Sequence, residues 1–137
     1  MDVFRDKIEK AMGDVEFSDA PASEETLRDV QQKLGFDFGP QLKSYLGEFG
    51  YLSRGSSELY GVNERQKLES DLVLISQTLH DYFPMSRGMA AVDNQGDGDY
   101  ILCDARDMIY EFIPSDRKEI VPLGKDLLGY ILERLKS

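Results

Sequence analysis

The sequence predicts a single α+β domain over residues 1–137, with N-terminal helices packed on an antiparallel β-meander and a helix at the C-terminus. Three observations predict this fold class. Apolar residues recur at helical spacing through the first half of the chain, and strand-like segments joined by turn residues follow from residue 88. The length of 137 residues suits one domain and is enough to bury a core without disulfide or metal support.

The N-terminal segment is predicted to form a helix followed by a loop. Residues 2–12 have the apolar periodicity of a short amphipathic helix, which Gly13 ends. A polar loop follows over residues 14–22. Ser23 is then placed to cap the next helix with its side-chain oxygen.

Two further helices, separated by a tight break, are predicted to form the packing nucleus. The apolar stripe of the first consists of Leu27, Val30 and Leu34. The stripe of the second consists of Leu42, Tyr45, Leu46 and Phe49. Gly35 lies where a left-handed helix end favours glycine, Pro40 suits the first turn of the second helix, and Gly50 ends it.

The middle of the chain is predicted to change from strand to helix. Residues 52–61 form one or two strands around a turn at 54–57, and residues 63–69 form a polar linker. Residues 71–83 form a helix that Pro84 ends. The core-facing stripe of this helix is predicted to consist of Leu72, Ile75, Leu79 and Tyr82.

The remainder is predicted to be a meander and a closing helix. Strands are predicted at 88–93, 100–104, 108–113 and 119–123, and an amphipathic helix at 126–135. The connection after the first of these strands is rich in residues that tolerate positive φ, which indicates a hairpin. We expect one sheet with the helices against it.

The charge balance argues against one class of function and favours another. The chain has 16 Lys and Arg against 26 Asp and Glu, a net charge of −10 with His neutral. Because phosphate contacts come mainly from Lys and Arg, such a chain is a poor nucleic-acid binder. An acidic surface attracts basic partners, although the same charge is also explained by solubility alone.

Nothing in the sequence predicts membrane insertion or export. No apolar run approaches the roughly 20 residues that span a bilayer. The first residues are charged and lack the apolar segment of a secretory signal. Cys103 is the single cysteine and cannot form an internal disulfide, as is usual in a reducing compartment. We therefore expect a cytoplasmic protein.

Few residues suggest catalysis or a cofactor. His80 is the only histidine and is expected on the surface of a helix, where it complements the helix dipole. Cys103 lies in the middle of a predicted strand, where a buried inert thiol is the usual outcome, and the sequence leaves a nucleophilic pair with His80 open. We expect no enzymatic activity, no metal and no cofactor.

The acidic spacing of residues 93–104 invites comparison with a calcium-binding loop. An EF-hand loop requires helices on both sides, whereas strands are predicted on both sides here. An acidic hairpin turn that faces solvent is therefore the favoured interpretation. Weak calcium binding outside an EF-hand stays open.

The strongest candidate for a functional site is an acidic face with aromatic anchors. Aspartates occur at positions 93, 97, 99, 104 and 107, with Tyr100 among them and Tyr110 shortly after the last. If these strands share a sheet with residues 58–60, the composition is typical of a protein-binding surface. The predicted partner-binding residues are Glu58, Tyr60, Asp93, Asp97, Asp99, Tyr100 and Asp104. Alternatively, Tyr60 and Tyr100 are half-buried sheet residues.

Several motifs occur in a recognisable order. They are SEETL at 23–27, LGFDFGP at 34–40, EFG at 48–50, ELYG at 58–61 and AAVDNQGDGDYILCD at 90–104. In this combination the chain resembles the SUKH superfamily, which includes fungal cell-wall-assembly regulators and bacterial immunity proteins. The resemblance covers the chain from residue 23 through the closing helix. FGP in place of the usual Leu-Pro leaves the subfamily open.

The resemblance implies a SUKH-like fold and a role in binding. Bacterial members bind a toxin domain, often a nuclease, and block it, so the implied partner is a cognate toxin domain with a basic surface. A regulatory scaffold of the cell-wall-regulator type is the first alternative, and a metal-binding or enzymatic domain at 93–104 is the second. The expected oligomeric state is a monomer or a weak homodimer.

Overall fold

The computed structural model describes residues 3–12, 15–62, 70–96, 98–115 and 117–136. Its helices are α1 (Val3–Met12), α2 (Glu24–Leu34), α3 (Pro40–Ser44), α4 (Leu72–Tyr82) and α5 (Leu127–Lys136). A π-helical turn, Tyr45–Phe49, continues α3, and a 3₁₀ turn, Pro84–Ser86, follows α4. The predicted linker at 63–69 lies outside the described residues.

The strands of the described residues form two antiparallel sheets. The small sheet contains β1 (Glu16–Phe17), β2 (Leu52–Arg54) and β3 (Ser57–Glu58) in that order. The meander contains β4 (Met89–Asn94), β5 (Tyr100–Asp104), β6 (Met108–Ile113) and β7 (Arg117–Asp126) in that order. The predicted α+β fold class is confirmed, whereas the expectation of one sheet is wrong. β1 lies in the segment that was predicted to be a polar loop. It was not predicted as a strand because two residues are too few to show alternation.

One continuous apolar core fills the space between the helices and the meander. Its largest fully buried side chains include Ile8, Leu42, Tyr45, Leu46, Phe49 and Phe112. Four of these come from α3 and the π-helical turn, where the sequence predicted the packing nucleus. Burial of such side chains from water is the main favourable contribution to folding.

The ends of α2 follow the predicted signals. Ser23 Oγ accepts a 3.1 Å hydrogen bond from the Thr26 N–H and caps the first turn. Gly35 ends the helix at φ 79°, in the left-handed region that glycine adopts without strain. Val30 and Leu34 are buried on the predicted apolar stripe.

The face of α4 that packs on β4 carries two polar side chains. Ser76 Oγ accepts a 2.8 Å hydrogen bond from the Ala91 N–H, and His80 Nε2 lies 2.7 Å from the Met89 carbonyl oxygen. Both satisfy backbone groups of β4 on the side away from β5. His80 is therefore buried, and the prediction of a surface histidine is wrong.

This packing also changes which apolar residues of α4 face inward. Leu72 and Leu79 are buried as predicted, but Tyr82 is 76% exposed. The polar contacts of Ser76 and His80 select a face that leaves Tyr82 outside. The prediction that Tyr82 faces the core is therefore wrong.

Asp107, in the turn between β5 and β6, connects this turn to two helices. Its carboxylate accepts 3.0 Å hydrogen bonds from the N–H groups of Gln41 and Leu42 at the start of α3. Its carbonyl oxygen accepts a 2.8 Å bond from the Leu127 N–H at the start of α5. One residue thus satisfies the first N–H groups of both helices.

The side chain of Gln41 adds a second link between α3 and α5. Its Nε2 donates a 3.0 Å hydrogen bond to Asp126 Oδ2, and its Oε1 accepts a 2.9 Å bond from the Leu128 N–H. Asp126 Oδ1 also accepts from the Gly129 N–H, so it caps α5. These bonds lower the pKa of the Asp126 carboxyl, the Gln41 bond most strongly.

Candidate functional site

Asp93 lies inside the protein and not on the predicted acidic face. It is 0% exposed, and its Oδ2 accepts hydrogen bonds from the Tyr130 hydroxyl and, at 2.8 Å, from Arg134 Nε. The expectation that Asp93 lies on a partner-facing surface is therefore wrong. A β-bulge between Ala91 and Asp93 shifts the register with β5 and aims this carboxylate at α5.

The two predicted tyrosine anchors are packed into the fold: Tyr60 shortly after β3, and Tyr100 as the first residue of β5. Tyr60 is 8% exposed, its N–H donates a 2.8 Å hydrogen bond to Val92, and its carbonyl accepts one from the Tyr45 hydroxyl. Burial raises the pKa of the Tyr60 hydroxyl, although a hydrogen bond with the Asn94 side chain opposes the effect. Tyr100 is half-buried against the core. The alternative of half-buried sheet residues is confirmed for Tyr100, whereas Tyr60 is buried and lies outside the strands.

Asp99 lies next to the Glu111 side chain of β6. Burial raises the pKa of Asp99 to about 6, and a hydrogen bond with Glu111 and the negative charges of Glu111 and Asp93 act in the same direction. Asp99 is partly accessible, but near pH 6 it is a weaker negative charge than its residue type suggests.

Asp104 uses its carboxylate within its own turn. Oδ1 accepts hydrogen bonds from the N–H groups of Arg106, at 2.8 Å, and Met108, at 3.0 Å. Oδ2 accepts a 2.8 Å bond from the Tyr110 hydroxyl. A carboxylate with three internal donors has little hydrogen-bonding capacity left for a partner. Asp97 lies outside the described residues, so its role stays a prediction.

An exposed acidic patch lies on the small sheet. Glu16 of β1 and Glu58 of β3 are both opposite Ser53 of β2, so the two carboxylates share one face. Both glutamates are exposed. We define the acidic patch as Glu16, Asp19, Tyr51 and Glu58.

Tyr51 is the half-buried aromatic member of the acidic patch. Burial raises the pKa of its hydroxyl, and the negative charges of Glu16, Glu58 and Asp19 raise it further. The three carboxylates therefore act on one aromatic side chain from the surrounding surface. Accessible acids around a tyrosine are complementary in charge to a basic protein surface.

Only Glu58 of the acidic patch was among the predicted site residues. Glu16 and Asp19 fell in the predicted polar loop, which gave no sign that a strand brings them next to Glu58. Tyr51 and Ser53 are two residues apart in an extended segment, and this alternation was the available signal that they share a face.

The family comparison establishes what the chain is related to. Residues 2–120 match the family model SUKH_5, described as SMI1-KNR4 cell-wall. The chain belongs to this family. The resemblance to the SUKH superfamily is therefore confirmed. The comparison with curated proteins found no match.

Cys103 and His80 of the SUKH domain lie in environments that do not favour a nucleophilic pair. Burial raises the pKa of the Cys103 thiol well above its usual range, and three nearby aspartates raise it further. The reactive thiolate is therefore disfavoured at neutral pH. His80 uses its Nε2 on the Met89 carbonyl. Neither group is prepared for nucleophilic attack.

The acidic hairpin of the SUKH domain has a structural use for its first aspartate. Strands β4 and β5 flank the loop as predicted, and Asp93 is bound to α5. In the part of the chain that the structure describes, no group of three or more His, Cys, Asp or Glu side chains is placed to hold a metal ion. None of the described helices has the length and hydropathy of a membrane-spanning segment.

Proposed function

We propose that this SUKH domain is an immunity protein that binds a cognate toxin domain, a nuclease with a basic cleft, and neutralises it in the cytoplasm. The acidic patch carries the proposal. In this proposal the protein acts by binding and not by catalysis, and it needs no cofactor. The net charge of −10 and the exposed carboxylates of Glu16, Asp19 and Glu58 are opposite in sign to a surface that grips nucleic acid.

The geometry of the acidic patch suits such a partner. Glu16 and Glu58 stand on either side of Ser53, so a basic cleft meets two carboxylates on the outer strands of the small sheet. Tyr51 supplies apolar area between them, and tyrosine is enriched among residues that dominate binding energy. The charges speed encounter, and the aromatic contact slows dissociation.

Co-expression tests the proposed activity. The C-terminal domain encoded immediately upstream is expressed under tight control, and growth and co-purification are measured with and without this chain. Rescue with a stable complex is the expected result. If that domain is toxic, and this chain neither restores growth nor co-purifies with it, the immunity proposal fails for that partner.

A charge-reversal pair tests the acidic patch separately. Glu16→Lys with Glu58→Lys should weaken binding and flatten its dependence on salt, because charge steering is lost. Asp6→Lys with Asp37→Lys changes the net charge equally at exposed positions outside the patch and should bind normally. Equal losses from both pairs would support a general charge effect and refute the assigned surface.

Membership of the family favours one other function. A family described as SMI1-KNR4 cell-wall suits a regulatory scaffold that binds a protein of cell-wall assembly. That function also uses a binding surface, but its partner is not toxic. Growth of cells that express the captured partner alone therefore separates the two proposals.

A further inference from the structure

The outer face of α4 carries large apolar side chains that the fold leaves exposed. The inner face packs Leu72 and Leu79 into the core and binds β4 through Ser76 and His80. The outer face carries Leu74 and Tyr82. A helix with apolar residues on opposite sides is normally covered on both of them. The outer face of α4 is therefore a candidate interface.

The exposed residues of this face form one stripe, which we call the α4 stripe: Leu74, Thr78 and Tyr82 of α4, and Met85 of the 3₁₀ turn that follows. The first three are four residues apart and lie along one line of the helix. The Thr78 hydroxyl donates a 2.9 Å hydrogen bond to the Leu74 carbonyl, so this polar group already has a partner. Tyr82 is 76% exposed and Met85 is 50% exposed. Tyrosine and methionine are both enriched at protein interfaces.

Charges of both signs lie beside the α4 stripe. The adjoining groove is lined by Asp81, Arg87 and Lys33, among others. Lys33 is paired with Asp29 of α2 at 3.1 Å. Asp81 and Arg87 form no ion pair with any residue that the structure describes.

The charges beside the α4 stripe indicate which kind of partner this surface fits. Two copies of a chain with a net charge of −10 repel each other over most of their surfaces. Beside the α4 stripe, however, Lys33 and Arg87 offset Asp29 and Asp81. A surface with an apolar centre, one acid and one base can complement a second copy of itself across a two-fold axis, because the acid of each copy meets the base of the other.

We propose that the α4 stripe is an isologous interface with a second copy of this chain. Tyr82 and Met85 of the two copies pack together, and Asp81 of each copy pairs with Arg87 of the other. The interface shares no residue with the acidic patch. The proposal therefore stands or falls independently of the proposed toxin partner.

Sedimentation velocity of the full chain over a range of concentrations tests the interface. We expect a concentration-dependent dimer, which Tyr82→Ala weakens by about tenfold or more because a central aromatic contact is lost. Val121→Thr removes a partly exposed apolar side chain from β7 and should leave the dimer unchanged. Circular dichroism and the thermal midpoint confirm that each variant is folded.

Exchange of charges tests whether the partner is a second copy. Asp81→Arg and Arg87→Asp should each weaken the dimer by about tenfold or more, because like charges then meet across the axis. The double variant should recover the dimer. A wild-type chain that stays monomeric overturns the proposal, as does a double variant that stays monomeric. A monomer that instead captures a different protein through Tyr82 also overturns it.

Discussion

The Asp107 carboxylate accepts a 3.0 Å hydrogen bond from the N–H of Leu42, which lies 65 residues earlier in the chain. The Gln41 N–H donates to the same carboxylate at 3.0 Å. The first turn of α3 is therefore capped by the turn between β5 and β6, because its own N-cap residue, Gly39, has no side chain to do so. This cap fixes the packing nucleus to the meander.

Removal of the Asp107 carboxylate should destabilise the protein. Asp107→Ala leaves two N–H groups without acceptors and should lower the free energy of unfolding by about 1–3 kcal/mol. Asp107→Asn keeps one acceptor and tolerates the positive φ of 63°, so its loss should be smaller. Asp37→Ala changes an exposed acid and is the control. Urea denaturation measures all three, and wild-type stability for Asp107→Ala would show that the cap is dispensable.

A methyl group at Gly39 should disturb the same cap. A Cβ there would lie 2.5 Å from Asp107 Oδ1, so the carboxylate or the helix start must move. Gly39→Ala should cost about 1–3 kcal/mol. In Gly47→Ala the nearest contact is an ordinary 3.7 Å, so this control should be neutral or stabilising. Thermal unfolding compares the two variants. A lower midpoint for Gly47→Ala than for Gly39→Ala would contradict the assigned role of Gly39.

The helices could be predicted from the sequence because their signals are local. Ser23 and Gly35 cap α2 through contacts within a few residues, and the structure places both caps where the sequence does. The small sheet depends instead on distant pairing. Phe17 lies opposite Leu52, and a two-residue strand carries no periodic pattern that predicts such a partner.

The acidic face could be predicted only in part, because residue type gives charge but not direction. Asp93 and Glu58 are both acidic residues of strands, yet one is buried against Arg134 and the other is exposed. A bulge of one residue reverses which face a strand residue occupies, and nothing in the local sequence specifies the bulge before Asp93. Asp107 was likewise counted with the surface acids, although its carboxylate caps α3.

Two ion pairs should differ in strength because of burial and not because of distance. Arg134 Nε lies 2.8 Å from the buried Asp93 carboxylate, whereas Lys125 Nζ lies 2.6 Å from the exposed Glu133 carboxylate. Arg134→Leu leaves the Asp93 charge buried with fewer partners and should cost about 2–4 kcal/mol. Lys125→Leu should cost less than about 1 kcal/mol. Similar losses in urea denaturation would contradict this account of Asp93.

The raised pKa of Asp99 predicts how stability changes with pH. In the unfolded chain an aspartate titrates near its model value of 3.8, whereas in the folded protein the pKa of Asp99 is about 6. Between these values the folded protein binds more protons than the unfolded chain. The contribution of Asp99 to the free energy of unfolding therefore falls as the pH rises from about 4 to 6.

Replacement of Asp99 by asparagine should remove this contribution. At pH 7, Asp99→Asn should be more stable than the wild type by about 1 kcal/mol, after allowance for solvent screening, because the charge beside Glu111 and Asp93 is gone. Near pH 4 the wild-type carboxyl is largely protonated when folded, so the difference should be small. Asp37→Asn is the exposed control and should show no such pH dependence. Urea denaturation at both pH values measures the effect. An equal gain at pH 4 and pH 7 would mean that asparagine improves the packing and that the Asp99 charge is not what destabilises the folded protein.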